Sequence, residues 1–522
     1  MTARGADGLA GLQPASGDPH LGQAAEAPPG TLGGLGLGLG LGLGRQPGTA
    51  GPAARSLLWR LTRRPWILAW LAFSPVAVLR AGTLSESDTF WQIRVGLVTI
   101  GHRAIPAVDT FSWTMRGHPW TLNSWGFDVV TAVAYRIAGL PGTAWFCAAL
   151  AMLLAALVLL LARQLGAAPG VAAVALLVAS PFLIGWLTAR PQLIDYIALP
   201  VLVMLLRKFA DGSARFRTVL SVGALSVLWV NLHAGALLAV PVTGACAGLL
   251  LLRPPTRARG WMCLGAAGAA LAGCFVNPYG VGIIGQAEQV RSASAGLIVE
   301  WQHLNLASPL QDLSLAIGLL GLVVAVRRRD PAVIATLAVT AAGAVLAIRF
   351  LPFVVLIAVP VIAARVSLPG PALTRYARSR RVMFRRTGIA GFAAFALVAV
   401  PSLTHIGQPD LARYPVSIAA DIPSGCHLFN TDLIGGYIIL VRPDVPVSLD
   451  TRNTLYGRRR LLADERVLAG RGNLRRGLAG AGCVLIPPRS GLARRLFRDP
   501  AWRLRAADSA AVLFVRRTPN HP

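Results

Sequence analysis

The sequence predicts a polytopic α-helical membrane protein that ends in a soluble α/β domain. Long apolar segments recur from residue 65 to residue 404. Mean hydropathy is +0.58, and only 14% of residues are charged, against roughly 25% in ordinary soluble domains. Beyond residue 405 the pattern changes to short apolar runs separated by amphipathic stretches, as expected of strands alternating with helices.

Residues 1–54 are rich in Gly, Ala and Pro and contain the repeat GLGLGLGLGLG. Such a segment has too few large apolar side chains to offset the entropy of ordering, so it is expected to be disordered. It lacks the basic start and compact apolar run of a cleavable signal peptide. Arg55, Arg60, Arg63 and Arg64 cluster just before the first apolar segment, which places the N-terminus on the cytoplasmic side.

Residues 55–404 read as the membrane domain, with about eleven spans. They fall near 65–84, 142–162, 168–187, 191–207, 217–232, 234–252, 261–277, 308–326, 331–348, 350–367 and 387–404, each long enough, or nearly so, to cross about 30 Å of hydrocarbon. The arginines sort onto alternate connectors: Arg207, Lys208, Arg215 and Arg217 on one, Arg253, Arg257 and Arg259 on another, Arg327 to Arg329 on a third. An odd count leaves residues 405–522 outside as an extracytoplasmic α/β domain, in a multi-pass protein of the plasma (inner) membrane. In that domain HLFN, VPVSLD, CVLIP and AVLFVRR read as strands, and LIGGYIILVR, RRRLLADERVLAG and GLARRLFRD as helices.

The formal net charge is +28. A nucleic-acid partner is not indicated, because the arginines lie on span connectors and no basic run is interleaved with stacking aromatics. The six cysteines include no CxxC pair, so neither a zinc nor a redox motif is present. Cys426 and Cys483 each open an apparent strand. A disulfide between them is reasonable if those strands are parallel neighbours outside the membrane.

The distinctive polar residues collect on the outer side of this topology. The loop 85–141 begins SESDTFWQIRVGLVTIGHRAIPAVDTFSWTMRGHPWTLNSWGFD, and its first 44 residues hold Glu86, Asp88, Asp109 and Asp128 among Trp91, Trp113, Trp120 and Trp125. Arg190, Asp195, His233 and Arg349 sit at or near outer span ends. Ionisable groups at membrane depth are costly and commonly mark a site or a pathway. Each also has a plain reading: the arginines snorkel, His233 caps a turn, Asp195 pairs with Arg190, and Trp120 and Trp125 anchor at the interface.

The motifs Asp88-Thr89-Phe90-Trp91, Ile105-Pro106, Asp109-x-Phe111-Ser112, Pro119-Trp120, Arg190-Pro191-Gln192, Trp229-Val230-Asn231-Leu232-His233, Asn277-Pro278-Tyr279-Gly280, Glu300-Trp301 and Arg349 follow in order. In the tail come Gly435-Gly436-Tyr437 and Asp450-x-Arg452-x-x-x-Tyr456-Gly457. This order resembles a bacterial family of multi-spanning proteins related to the GT-C glycosyltransferases, which use polyprenyl-phosphate sugars. The resemblance covers roughly residues 60–520, with two departures: Gln92 stands where the family often has His, and Asp128 where it often has Glu.

The resemblance implies a GT-C-like fold and inverting sugar transfer from a polyprenyl-phosphate sugar to an envelope glycan, lipid or protein acceptor, at the membrane-lipid boundary. Asp88 is then the candidate base, with Glu86 or Asp109 as second carboxylate. Arg190, His233 and Arg349 are candidate ligands of the donor phosphate. A divalent metal, Mg or Mn, between Asp88 and Asp109 is compatible with the carboxylates. Tyr437, Asp450, Arg452 and Tyr456 either line a groove for the acceptor or form a structural cluster. The competing reading is a non-catalytic membrane protein of the same fold that binds or moves an envelope glycan; an ion-coupled transporter would need carboxylates nearer span centres.

Overall fold

The computed structural model describes residues 64–294, 296, 298–367, 392–393 and 396–517. The N-terminal segment expected to be disordered lies outside the described residues, as do residues 387–391 and 394–395 of the last expected span.

The other apolar segments form helices, and the sequence shows why they start and stop where they do. Proline stands in the first turn of Pro65–Leu71, Ser74–Ala81, Pro169–Leu183, Pro309–Arg328 and Pro331–Leu346, where its missing N–H costs nothing. Arg329 ends the fourth of these in a left-handed conformation, φ 55°. Asp330 then caps the fifth by accepting from Val333 N at 3.2 Å, so two helices are joined by a very short connector. The expected first span is in fact two short helices, Pro65–Leu71 and Ser74–Ala81.

Among the described residues, four helical stretches are long and apolar enough to cross a membrane: Trp125–Gln164, Ala234–Leu251, Pro309–Arg328 and Ile348–Val366. Trp125–Gln164 breaks at Ala138 and Gly139 (φ 61°) just before Pro141, so its first turns are a separate segment from the span that follows. Leu351–Val366 is the centre of the bundle and is buried along nearly its whole length. Gly318 and Gly321 let Pro309–Arg328 approach it so closely that an added Cβ would collide with Val354 and Ala358. Small residues at such contacts replace the hydrophobic drive that is missing between helices in lipid.

The tail forms a four-stranded sheet in the order β3-β4-β6-β5, with β3 Leu428–Asn430, β4 Cys483–Ile486, β5 Trp502–Ala507 and β6 Val512–Arg516. β3 and β4 are parallel, with Leu428 opposite Cys483, and Cys426 and Cys483 are disulfide-bonded with Cα atoms 6.1 Å apart. β5 was not expected: it is a largely exposed edge strand carrying Arg503 and Arg505, without a clean apolar alternation. VPVSLD is not a strand. Pro446 has no N–H to donate, and Val447 makes only isolated bridges to Ser112 and Leu428.

Two of the contacts that tie the tail to the helices lie on either side of Glu86. β1, Thr83–Leu84, pairs in parallel with β2, Gln408–Pro409. The helix Asp432–Val441 packs on Ser87–His102, where a Cβ at Gly436 would strike the backbone and hydroxyl of Ser87. Phe90 fills the seam, edge-on to Tyr414 and Tyr437 at 4.8 and 5.3 Å between ring centroids. Gly436 thus lets the tail close onto the residue before Asp88, while Gly435 lets the same helix close onto Leu449 O within the tail.

Candidate active site

The site is built from the first turn of Ser87–His102. Glu86 precedes this helix in extended conformation and Asp88 lies in its first turn, where free amides favour negative charge. Thr89 Oγ1 donates to Ala189 O at 3.0 Å, which fastens the helix to the 188–192 turn and brings Arg190 alongside. Arg190 Nε lies 3.0 Å from Asp88 Oδ2, an ion pair without hydrogen-bond alignment. Its Nη1 donates to Glu300 Oε1 at 2.5 Å and is 3.8 Å from Glu86 Oε2. Burial pulls the Arg190 guanidinium down, but Asp88, Glu300 and Glu86 outweigh it and hold it well above its ordinary value. Burial pushes the Glu86 carboxyl up; Arg190 opposes this while Asp88 and Glu300 add to it. Partial burial pushes the Glu300 carboxyl up as well, yet Arg190 and Arg349 outweigh it and hold it below the usual carboxylate range.

The remaining Asp88 oxygen is oriented. Oδ1 accepts from Thr451 Oγ1 and, at 3.2 Å, from Trp91 Nε1; the indole also donates to Thr451 Oγ1 at 3.0 Å. Thr451 therefore carries the tail directly onto the candidate base.

Arg349 stacks over Trp301, 4.3 Å from the ring centroid, and makes no ion pair or hydrogen bond with the described residues. It is therefore better placed than Arg190 to engage an incoming anion. His233 Nδ1 is 2.7 Å from Asp195 Oδ2, and Trp229 Nε1 donates to Asp195 Oδ1 at 2.6 Å. Both His233 and Asp195 are buried. Gly235 is required here, because a Cβ would collide with the Asp195 carboxylate. Asp195 thus pairs with His233, not with Arg190 as the plain reading had it.

Asp109 and the tail residues form a separate, buried network. Arg452 binds Asp109 Oδ1 and Asp450 Oδ2, both at 2.7 Å. Tyr456 donates to Asp450 Oδ2 at 2.7 Å, and Asp109 Oδ2 accepts from Ser112 N and Oγ. The guanidinium lies over Trp120, 4.7 Å from the ring centroid, so Trp120 is a buried platform rather than an interfacial anchor. This cluster holds the chain on either side of Thr451.

One cavity of about 1580 Å³ joins these parts. Glu86, Asp88, Arg190, Asp195, His233, Glu300 and Arg349 line it, with Arg452 and Thr451 on the tail side. Asp88, Arg190, His233 and Arg349 are therefore brought together as the sequence suggested. Asp109, Tyr437, Asp450 and Tyr456 are not among the lining residues. As second carboxylate or acceptor contacts they are displaced, because their polar atoms are spent on Arg452 and one another, or, for Tyr437, the ring is packed on Phe90. Asp88 and Asp109 have separate protein partners: Arg190 and Thr451 bind the one, Arg452 and Ser112 the other. No group of three His, Cys, Asp or Glu among the described residues is placed to share an ion. Two members were missed as site residues, Glu300 and Thr451. The Glu300-Trp301 pair was the available signal for the first, and the second is the unassigned position within Asp450-x-Arg452.

Fold and site together define a helical protein with helices apolar enough to cross a membrane, a C-terminal α/β domain, and a cavity between them lined by charged and apolar side chains. No family model and no curated protein matches the sequence. Solved structures do match. The oligosaccharyltransferase AglB from Archaeoglobus fulgidus, in complex with an inhibitory peptide and a dolichol-phosphate, aligns with TM-score 0.53 at 13% identity, over 83% of this chain and 70% of that one. ArnT from Cupriavidus metallidurans, bound to undecaprenyl phosphate, aligns with TM-score 0.53 at 14% identity, over 89% of this chain and 98% of its own. At these identities the likeness establishes the fold.

Proposed function

We propose that the protein is a membrane glycosyltransferase that moves a sugar from a polyprenyl-phosphate donor to a cell-envelope acceptor, at the outer boundary of a membrane crossed about eleven times. The observation that carries this is the juxtaposition of an oriented carboxylate, Asp88, with Arg190 and Arg349 in a single cavity. Neighbours of this fold, in their own structures, hold dolichol-phosphate and undecaprenyl phosphate.

The chemistry follows from the charges. Asp88, aimed by Thr451 and Trp91, accepts the proton of the acceptor hydroxyl as that oxygen attacks the anomeric carbon. The sugar–phosphate C–O bond breaks on the opposite face, which inverts the anomeric centre. The leaving lipid phosphate carries away the bonding pair, and its negative charge is taken up by Arg349 and His233. Arg190 serves mainly to hold Asp88, Glu86 and Glu300 in place, since its own charge is already shared among them. Glu86, with its carboxyl pushed up, is the neighbouring group best suited to relay the proton away.

The test is turnover. Purified protein in vesicles, given radiolabelled undecaprenyl-phosphate sugars and membranes from the host as acceptor, should transfer label and release undecaprenyl phosphate. Tight binding of the lipid without any transfer would instead favour a non-catalytic carrier of the same fold.

A further inference from the structure

The most strongly charged stretch of the chain takes no part in the cavity. Residues 466–498 hold eight arginines and no aspartate, glutamate, lysine or histidine. Alternation among span connectors accounts for the arginines before the tail, but not for these. All eight are exposed, and none lines the cavity. Just upstream Arg460 pairs with Asp464 at 2.9 Å, whereas none of the eight has a carboxylate partner among the described residues. The fold gathers them into a layer. Alternate residues of the tail sheet face opposite ways. Leu428, Leu485 and Leu513 join the core of Phe90 and Ile93 from Ser87–His102, while Phe429, Val484 and Phe514 pack with Leu474, Leu492 and Leu496. The short helix Leu474–Gly477 carries Arg475 and Arg476, and Gly491–Leu496 carries Arg494 and Arg495, with Arg498 just beyond it. These arginines therefore ride on the sheet face turned away from the helical bundle. Arg495 Nη1 donates to Gly470 O at 2.9 Å, which holds that guanidinium in place but leaves its charge unbalanced. Like charges gathered on one face repel, and each guanidinium presents a fork that takes phosphate or carboxylate oxygens in pairs. A bilayer around the apolar helices lies on the other side of the sheet, so the partner that fits is a chain of repeating anions in solution.

We propose that this arginine layer is a docking surface for an anionic polymer that carries phosphate or carboxylate groups along its length. The surface is separate from the cavity, so binding tests it whether or not the protein transfers sugar. Full-length protein in phosphatidylcholine nanodiscs is titrated with fluorescent polyphosphate, polygalacturonate and neutral dextran. The wild type should bind at least one of the two polyanions and not dextran, and the affinity should fall about tenfold or more between about 50 and 200 mM salt. Binding of polyphosphate alone or of polygalacturonate alone supports the surface and identifies the anionic group it prefers. The variant Arg475→Gln, Arg476→Gln, Arg494→Gln, Arg498→Gln should bind about tenfold or more weakly. It should also unfold at the same or a higher temperature than wild type, because it relieves repulsion and breaks no ion pair. A control with the same loss of charge, Arg163→Gln, Arg217→Gln, Arg253→Gln, Arg327→Gln, removes exposed arginines from the span connectors; it should change affinity by less than about threefold, since remote exposed charges are screened. Failure of both polyanions to bind, or an equal loss in the two variants, overturns the proposal. Binding to phosphatidylglycerol vesicles but to neither polyanion overturns it as well, and makes the layer a membrane contact.

Discussion

Arg452 is the sharpest place to perturb the account, because one buried cation there serves two buried carboxylates. In Arg452→Ala, Asp109 keeps Ser112 and the Phe111 amide, and Asp450 keeps Tyr456, but neither keeps a countercharge. Breaking a buried pair in this way costs about 3–5 kcal/mol. The 4.7 Å stacking on Trp120 is lost as well. The expected result in detergent is a fall in thermal midpoint of roughly 5 °C. Transfer should fall further than folded protein does, since Thr451 next door positions Asp88. Arg452→Lys should recover only part of both, because an ammonium cannot serve two carboxylates with a rigid fork. The triple variant Asp109→Asn, Asp450→Asn, Arg452→Met should regain stability without regaining full activity. An Arg452→Ala protein with an unchanged midpoint would refute the claim that this cluster holds the tail onto the site.

Glu86 and Glu300 should respond to pH with opposite signs. Glu86 is raised in the fold, so its contribution is favourable at low pH and is lost as pH rises through the folded value; Glu86→Gln should therefore raise the midpoint by about 1 °C at neutral pH and converge with wild type near pH 4. Glu300 is depressed, so its contribution is present above the ordinary carboxylate range and lost on acidification; Glu300→Gln should cost about 1–3 kcal/mol at neutral pH and little at low pH, read from the same melting curves. Gly235→Ala should destabilise by about 1–3 kcal/mol through overpacking against Asp195 and should weaken lipid-phosphate binding by displacing His233. Replacing Cys426 and Cys483 with Ser opens a link of 57 residues, with an expected cost of about 2–4 kcal/mol; a non-reducing peptide map of the wild type should find the two peptides joined.

The residues legible in the sequence were those whose signal is local. Asp88, Arg190, His233 and Arg349 are polar groups at the ends of apolar segments, and alternation of arginine among the connectors was enough to sort them to one side. The helices Asp432–Val441 and Asn453–Leu468 were legible by periodicity, and β3, β4 and β6 by their apolar runs. What was hidden depends on contacts across the chain. Asp109 reads the same whether it faces a cavity or Arg452, and the bond from Thr451 to Asp88 spans 363 positions. Tyr437 and Tyr456 looked like ligand contacts because an aromatic hydroxyl in a motif is equally suited to bind or to brace; only packing separates the two. Gly435-Gly436 showed that something approaches closely, without showing that Gly436 faces Ser87.

The most direct measurement is single-turnover transfer from a radiolabelled undecaprenyl-phosphate sugar by wild type and Asp88→Asn in the same vesicles. Asparagine keeps the size of the side chain and its contacts with Thr451 and Trp91, but it cannot take a proton. The account predicts unchanged protein level and lipid binding with transfer reduced by at least about 100-fold, the lower range for general-base catalysis. Wild-type transfer by Asp88→Asn would contradict it.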